Sequence, residues 1–512
     1  MNVFMALASM VMIVVFVAYT ITDVERSSAV FSAGKDFILG SMKWFYVLVV
    51  NAALFFSLWL LVSRFGHVKL GKDDDEPDFS TFSWIAMLFS AGLGSGLIYW
   101  GVSEPMFHMQ GNPFADANGI EAGTSEAAIK AVTVTIFHWG FHGWGLYVLA
   151  GMTLAYFAYR HDLPLTPRAA LYPVLKDRIY GPWGHLVDLI AVFGTVFGIA
   201  TSLGLGVTPI CAGLERLGWM ENNQTNQLIL VAIITALGTA SAASGVGKGV
   251  RILSEINVMS SLGLLVLFLI LGPTAYILGV TISGVGDYLW NFIPMGFNVI
   301  GDPENDWQTW WTLFYWGWWI AWCPFVGMFI ARVSKGRTIK EFCVAVLFVP
   351  VTVVIVWMGV FGGAAAGVEL FNDAGVFNAV NEDYARGVFQ TVTGFGYEWL
   401  TMPMNFLITI LLISWFVTSS DSGTLVMCTM LSMGDEHPPV RFRIFWGVIS
   451  GAVAAVLMLA GGLSALQTAS IVAGLPIAVI VLLMIYGMVK TLREEHPLPD
   501  YKDKYELEFL NR

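Results

Sequence analysis

The chain has 512 residues, of which 56% are hydrophobic, 14% aromatic and only 12% charged. A soluble globular chain carries about 25% charged residues, so disorder, collagen-like repeats, a disulfide scaffold and an ordinary cytosolic enzyme are excluded together. A formal net charge of −11 leaves no basic face for phosphate contacts, so nucleic acid is excluded as a partner.

What remains is an all-α polytopic membrane protein with the lipid bilayer as its first partner. Its mean hydropathy is +0.70. Its apolar stretches suit helices, not the alternating strands of a barrel. Cys211, Cys323, Cys343 and Cys428 form no CxxC pair and suggest no disulfide framework.

A hydrocarbon core of about 30 Å needs about 20 helical residues. Windows of that length predict twelve spans, near 3–21, 44–63, 82–103, 131–157, 186–212, 226–244, 252–280, 308–331, 341–366, 403–432, 444–462 and 467–489. The first lacks a basic n-region and a small-residue cleavage site, so it reads as a retained helix, not a signal peptide. Residues 281–298 are amphipathic and read as interfacial. With both termini cytoplasmic, the inner segments hold 20 of the 26 Lys and Arg and the outer segments 6. That bias predicts the orientation. It also supports the span count, because dropping a middle span would scramble it.

Function is expected where polar or flexible residues interrupt the apolar spans. The third span contains Gly92-Leu93-Gly94-Ser95-Gly96, followed by Tyr99, Trp100 and Glu104. Each glycine weakens a helix by about 1 kcal/mol. Close packing of small residues is the bland reading, and exposed backbone carbonyls the functional one. A dinucleotide loop is rejected, since no strand precedes the segment.

The fourth span reads His138-Trp139-Gly140-Phe141-His142-Gly143-Trp144-Gly145-Leu146-Tyr147. Trp139, Trp144 and Tyr147 are placed to approach one cavity. The two His are four apart, a spacing that suits a metal, but no third ligand or Glu lies nearby. Structural or hydrogen-bonding histidines are the preferred reading.

The eighth span carries six Trp in the thirteen residues 310–322. The run continues through the span, so it is no interface belt. Trp319 and Trp322 share a helical face, and Pro324 is expected to interrupt the helix there. An aromatic cluster beside a broken helix suggests a cage for a quaternary cation, which is favoured by about 2 kcal/mol or more when desolvated. Dense packing without a ligand is the alternative. The tenth span contains Thr418-Ser419-Ser420-Asp421-Ser422-Gly423. Such hard oxygen donors at membrane depth suit a small cation such as Na⁺; hydroxyl-to-backbone bonding at a kink is the alternative.

The run Trp311-Thr312-Leu313-Phe314-Tyr315-Trp316-Gly317-Trp318-Trp319 resembles the signature of the betaine/carnitine/choline transporter family, which begins on a small or polar residue where this chain has Trp310. The likeness extends to the glycine-rich third span ending in Glu104-Pro105, to the tenth-span hydroxyls and to the twelve-span layout. It implies a LeuT-like inverted repeat of five plus five helices preceded by two extra helices. The corresponding division is 1–80 for two N-terminal spans and a cytoplasmic linker, 81–280 for the first repeat, 281–307 for the interfacial segment, 308–490 for the second repeat and 491–512 for a short cytoplasmic tail.

The resemblance further implies substrate binding at the midplane and alternating access. Trp139, Trp144, Tyr147 and Trp319 would hold a trimethylammonium group. Trp318 and Trp322 would line the site or its pathway, and Phe325 would help gate it. The segment from Gly92 through Gly94 to Gly96 would unwind around the substrate.

Coupling follows the same likeness. Sodium-driven relatives place one Na⁺ between the backbone near Leu93 and hydroxyls matching Thr418 and Ser419. Sodium-independent exchangers carry Arg where this chain has Asn257. A second Na⁺ site in relatives uses two fifth-span threonines and a gating Phe; here Thr195 and Phe325 match, but the other position is Ile199. One charge entering at 100 mV is worth about 2.3 kcal/mol.

Choline-selective relatives carry Asp at the position of Gly96, so a zwitterion is preferred here. Glycine betaine leads, dimethylsulfoniopropionate follows because a sulfonium also suits an aromatic cage, and carnitine and choline come next. A sodium-coupled symporter of the bacterial inner membrane is therefore expected, with no cofactor besides the coupling ion. A homotrimer is implied by the family. The rival on the same fold is a sodium-independent or proton-coupled transporter. A membrane enzyme would need a catalytic constellation, and none is found. The tail after residue 490 is mixed in sign and lacks a polybasic block, so a weak osmotic response is expected.

Overall fold

The computed structural model describes residues 3–92, 94–244, 248–301, 306–435 and 437–497. Among them the architecture is helical, with one isolated bridge between Lys69 and Thr338. Nine of the described helices are long and apolar enough to cross a membrane.

The N-terminal part holds α1 (Val3–Thr22), α2 (Val24–Ser41) and α3 (Lys43–Val62). Helix α2 was not expected, because Glu25, Arg26, Lys35 and Asp36 leave it without an apolar window. Asp23 starts it by accepting from the Arg26 amide at 2.9 Å.

Two expected spans are each divided. The third is α4 (Thr81–Gly92) and α5 (Gly96–Met109), separated at the glycine-rich segment. Leu93 lies outside the described residues. The fourth is α6 (Ser125–Trp139) and α7 (Phe141–Ala155), which part at Gly140. A Cβ on Gly140 would lie 2.4 Å from the Ile136 carbonyl oxygen, so only glycine fits that break.

Helices α8 (Pro182–Arg216), α9 (Gln224–Ser244) and α10 (Lys248–Leu271) follow. The stretch expected to run from 252 to 280 ends instead at Leu271, and Pro273 separates it from α11 (Thr274–Gly296). Proline lacks an N–H and steers its predecessor out of helical geometry. The expected boundary at 281 therefore falls inside one continuous helix, which packs on α6.

A π-helical turn at Thr309–Leu313 leads into α12 (Phe314–Arg332). Pro324 does not break this helix, contrary to expectation; the distortion sits in the π turn ahead of it. Within a membrane bundle, neighbouring helices and local adjustments absorb the bond that a proline removes. Helix α13 (Ile339–Asn372) begins on a capping box in which Thr338 and Glu341 exchange side-chain bonds. The hydroxyl run at 418–422 lies within a continuous α14 (Glu398–Leu431), so it marks no helix ends. Helix α15 (Val440–Glu495) is bent at Gly461 and Gly462, where Gly462 takes φ 56°.

Helix α12 packs against α7 and α15, and α8 against α14 and α15. The connecting segments are tied by ion pairs. Arg168 and Asp188 meet at 2.6 Å with neither side chain exposed. Arg160 reaches Asp73 at 2.8 Å; its hydrogen bond and charge hold that exposed carboxyl below the usual range.

Candidate functional site

A cavity of about 160 Å³ opens where the two divided spans meet α12 and α14. Gly94, Ser95 and Gly96 line it from the break between α4 and α5. Trp139, Trp144 and Tyr147 line it from α6 and α7, and Trp318, Trp319, Trp322 and Phe325 from α12. Thr418 and Ser419 line it from α14. The seven aromatic residues assigned to the substrate site or its gate are brought to this one space, whereas Trp100, Trp310, Trp311 and Trp316 are not among its lining residues. The volume suits a small solute better than a drug-sized ligand.

The rings stand at near right angles. Trp139 and Trp319 are 5.2 Å apart at 76°, Trp144 and Tyr147 5.4 Å at 88°, and Tyr147 and Trp319 6.1 Å at 81°. Trp318 stacks parallel on Trp319 at 5.3 Å. Phe325 meets Trp322 edge-on at 4.8 Å. Edge-to-face pairing lets one ring's positive edge meet another's negative face, and leaves other faces free for a cation.

Two glycines let the indoles come this close. A Cβ on Gly143 would lie 2.9 Å from the Trp319 ring, and one on Gly198 2.7 Å from the Trp322 ring. Hydrogen bonds fix the ring edges: Trp319 Nε1 donates to the His138 carbonyl at 2.9 Å, and Trp139 Nε1 to Glu104 Oε2 at 2.7 Å.

Glu104 overturns the statement that no Glu lies near the histidines. Its Oε1 is 2.7 Å from His138 Nδ1 and 3.4 Å from His108 Nε2. Beyond the break at Gly140, His142 packs edge-on against Phe137 at 4.8 Å. The three potential ligand atoms of Glu104, His108 and His138 lie within 4.8 Å of one another. They already satisfy one another as hydrogen-bond partners, and a tetrahedral metal would need a further donor.

The ion donors divide. The Thr418 hydroxyl donates to the Trp415 and Ser414 carbonyls at 2.9 and 3.1 Å, which leaves its oxygen free to accept. Ser419 is half-buried beside it on the cavity wall. Two hard hydroxyl oxygens on one cavity fit part of a Na⁺ shell. Asn257 is buried and accepts from Ser414 at 2.5 Å, so its position connects to the hydroxyl helix. Thr195 is not among the lining residues; its hydroxyl donates to the Ala191 carbonyl at 2.8 Å. Gly92 is the last residue of α4. Asp421 faces α9, accepting from Ser241 at 2.8 Å.

Tyr99, named from the sequence beside the glycine-rich segment but given no role, lines the cavity, and several lining residues were not anticipated, including Ser202, Ser254, Trp415, Phe416 and Phe329. Trp415 and Phe416 sit just before the hydroxyl run, so adjacency to it was the available signal. Ser202 follows Thr201 and Ser254 precedes Glu255, and neither pair belongs to a pattern that pointed to a site.

A sequence profile described as BCCT, betaine/carnitine/choline family transporter, matches residues 3–497. A glycine betaine transporter of Acinetobacter baylyi is 41% identical over 494 residues, which cover 96% of this chain and 73% of the relative. A probable glycine betaine transporter of Desulfitobacterium hafniense is 41% identical over 457 residues, 89% of this chain and 90% of the relative. The osmo-dependent choline transporter BetT2 of Acinetobacter baylyi is 37% identical over 499 residues, 96% of this chain and 71% of the relative. With the profile spanning nearly the whole chain and relatives at 41% identity, this multi-pass membrane protein belongs to the betaine/carnitine/choline transporter family and is a transporter, not an enzyme.

Proposed function

We propose that the chain is a sodium-coupled symporter of a small onium zwitterion, with glycine betaine first and dimethylsulfoniopropionate second. The observation that carries this reading is the single cavity that joins indole and phenol faces to a glycine break and two hydroxyls. The onium head would sit among Trp139, Trp144, Tyr147 and Trp319, where a desolvated cation gains about 2 kcal/mol or more. The carboxylate end would turn to the start of α5, the positive end of that helix dipole.

Na⁺ would be held by the Thr418 and Ser419 hydroxyls, with a backbone carbonyl near Leu93 as a third donor. Its charge would couple uptake to voltage, at about 2.3 kcal/mol per 100 mV. Thr195 does not line the cavity, and Ile199 at the companion position offers no hydroxyl, so one Na⁺ is the simpler stoichiometry. Phe325, set against Trp322, would gate the pathway.

On this reading the helices make twelve spans. The divided α4–α5 and α6–α7 each count as one and the bent α15 as two; α2 and α11 are not spans. Two inverted repeats, residues 81–271 and 308–490, would follow two extra helices (1–80), joined through α11 and the residues after it. Residues 491–512 would form a cytoplasmic tail. Both termini would face the cytoplasm across the bacterial inner membrane, and three copies would associate. Choline, a cation and not a zwitterion, is the alternative class of solute, supported by the choline transporter among the relatives. Binding of betaine, choline, carnitine and dimethylsulfoniopropionate, each with and without Na⁺, tests the proposal. Tight betaine binding that needs Na⁺ is expected, and full transport in sodium-free buffer at fixed voltage would overturn the coupling.

A further inference from the structure

Glu104 stands behind the cage, not in it. It is fully buried on α5 and is not among the cavity-lining residues. Four groups point at its two oxygens. Trp139 Nε1 donates to Oε2 at 2.7 Å, and the Tyr315 hydroxyl bonds the same oxygen. His138 Nδ1 and His108 Nε2 face Oε1 at 2.7 and 3.4 Å. An indole N–H only donates, whereas an ionised carboxylate only accepts, at about four lone-pair sites. Four neighbours able to donate therefore match an ionised Glu104 with two neutral histidines. His138 Nε2 then accepts from the Thr312 hydroxyl at 3.0 Å. The cluster carries one negative charge.

Both principal indoles of the cage are tied to it. Trp139 bonds Glu104 directly, and Trp319 donates to the carbonyl of His138 at 2.9 Å. No acidic or basic side chain lines the cavity among the described residues. A fixed charge acting on an onium head thus has to come from behind the rings. Donating an N–H to an anion makes the indole face more electron-rich, and a cation is held there by the ring's electrostatics. The charge itself also acts through a poorly screened interior.

We propose that Glu104 is a positioning and charge-selecting residue: its carboxylate, bonded to the N–H edge of Trp139, tunes the cage for a cationic head over a neutral one of the same shape. This rests on the cage reading above. The test is binding to the full-length purified protein in the presence of Na⁺, using two pairs of probes. Glycine betaine is paired with 3,3-dimethylbutanoate, and choline with 3,3-dimethylbutan-1-ol; in each pair a carbon replaces the onium nitrogen.

Glu104→Gln should weaken both onium probes about tenfold and leave the carbon isosteres unchanged or tighter. Equal weakening of onium and isostere would reduce Glu104 to a structural role, and no change in either would remove the role altogether. Glu104→Asp retains the charge, so it should keep the onium-to-isostere ratio near that of the parent even if both affinities fall. A ratio lost with the charge retained overturns the proposal, and this arm decides if the Gln variant does not fold. Parent protein that binds neither onium probe would sink the cage reading itself, a different failure from unselective loss in the Gln variant.

Discussion

At Trp319 the ring is held from three sides. Trp318 stacks on it at 5.3 Å, Trp139 meets it edge-on at 5.2 Å, and the His138 carbonyl takes its N–H. Trp322 lacks such support: it contacts Phe325 at 4.8 Å, and its indole N–H is buried without a hydrogen-bond partner. Replacing either indole by Ala should weaken substrate binding by roughly 1–3 kcal/mol through lost cation–π contact and packing. Trp322→Phe should recover part of that loss, since a ring face returns and no hydrogen bond is forfeited. Equilibrium binding measures both, and an unchanged affinity in Trp322→Ala would remove Trp322 from the cage. At the ion donors, Thr418→Ala combined with Ser419→Ala should raise the Na⁺ concentration for half-maximal uptake, whereas Thr195→Ala should change it little. The tryptophan run was legible in the sequence because its residue type and density have few other uses. Glu104 was not. His108 is one turn away on the same helix, but Trp139, His138 and Tyr315 are 35, 34 and 211 residues away along the chain, so no local pattern announces the full set of donors.

At the scale of the element, the breaks and the close approaches do the positioning. The divisions at Gly92–Gly96 and Gly140 turn backbone and ring edges into the cavity, and both lie in segments where glycine density was visible. Pro324 misled, because a proline's effect depends on neighbours that the sequence does not show; Pro273, in a connection, acted as its chemistry dictates. Helix α2 was invisible to an apolar window for the plain reason that it is polar. Gly198 offers the sharpest test of packing. A methyl there would stand 2.7 Å from the Trp322 ring, and a rigid indole cannot yield as a flexible chain end would. Gly198→Ala should therefore displace Trp322 into the cavity, weakening substrate binding while adding about 1–3 kcal/mol of overpacking strain. The change should appear in substrate affinity and in tryptophan fluorescence together. A variant with normal affinity would mean that Trp322 has room to retreat.

At the scale of the molecule, the cavity's reach carries the argument. From the cage it extends past Phe325 to Phe329 and Ser254. These residues lie near the ends of α12 and α10 that adjoin Arg332 and the Lys248–Arg251 segment. In the proposed orientation this Lys- and Arg-rich end would face the cytoplasm, and the pathway would then be directed inward. Phe329→Cys converts that into an observable. The four native cysteines are buried, so background labelling by a membrane-impermeant thiol reagent should be low. The new thiol should react from the cytoplasmic side in inside-out vesicles and stay protected in right-side-out ones. Adding Na⁺ with betaine should slow the reaction if the loaded carrier spends less time open to that side. A ligand shifts such an equilibrium only by its differential affinity for the two states, so the degree of protection measures how far binding and closure are linked. Labelling from the outside alone would reverse the assigned orientation. Labelling from the inside at a rate indifferent to substrate would keep the orientation and deny that this pathway closes during transport.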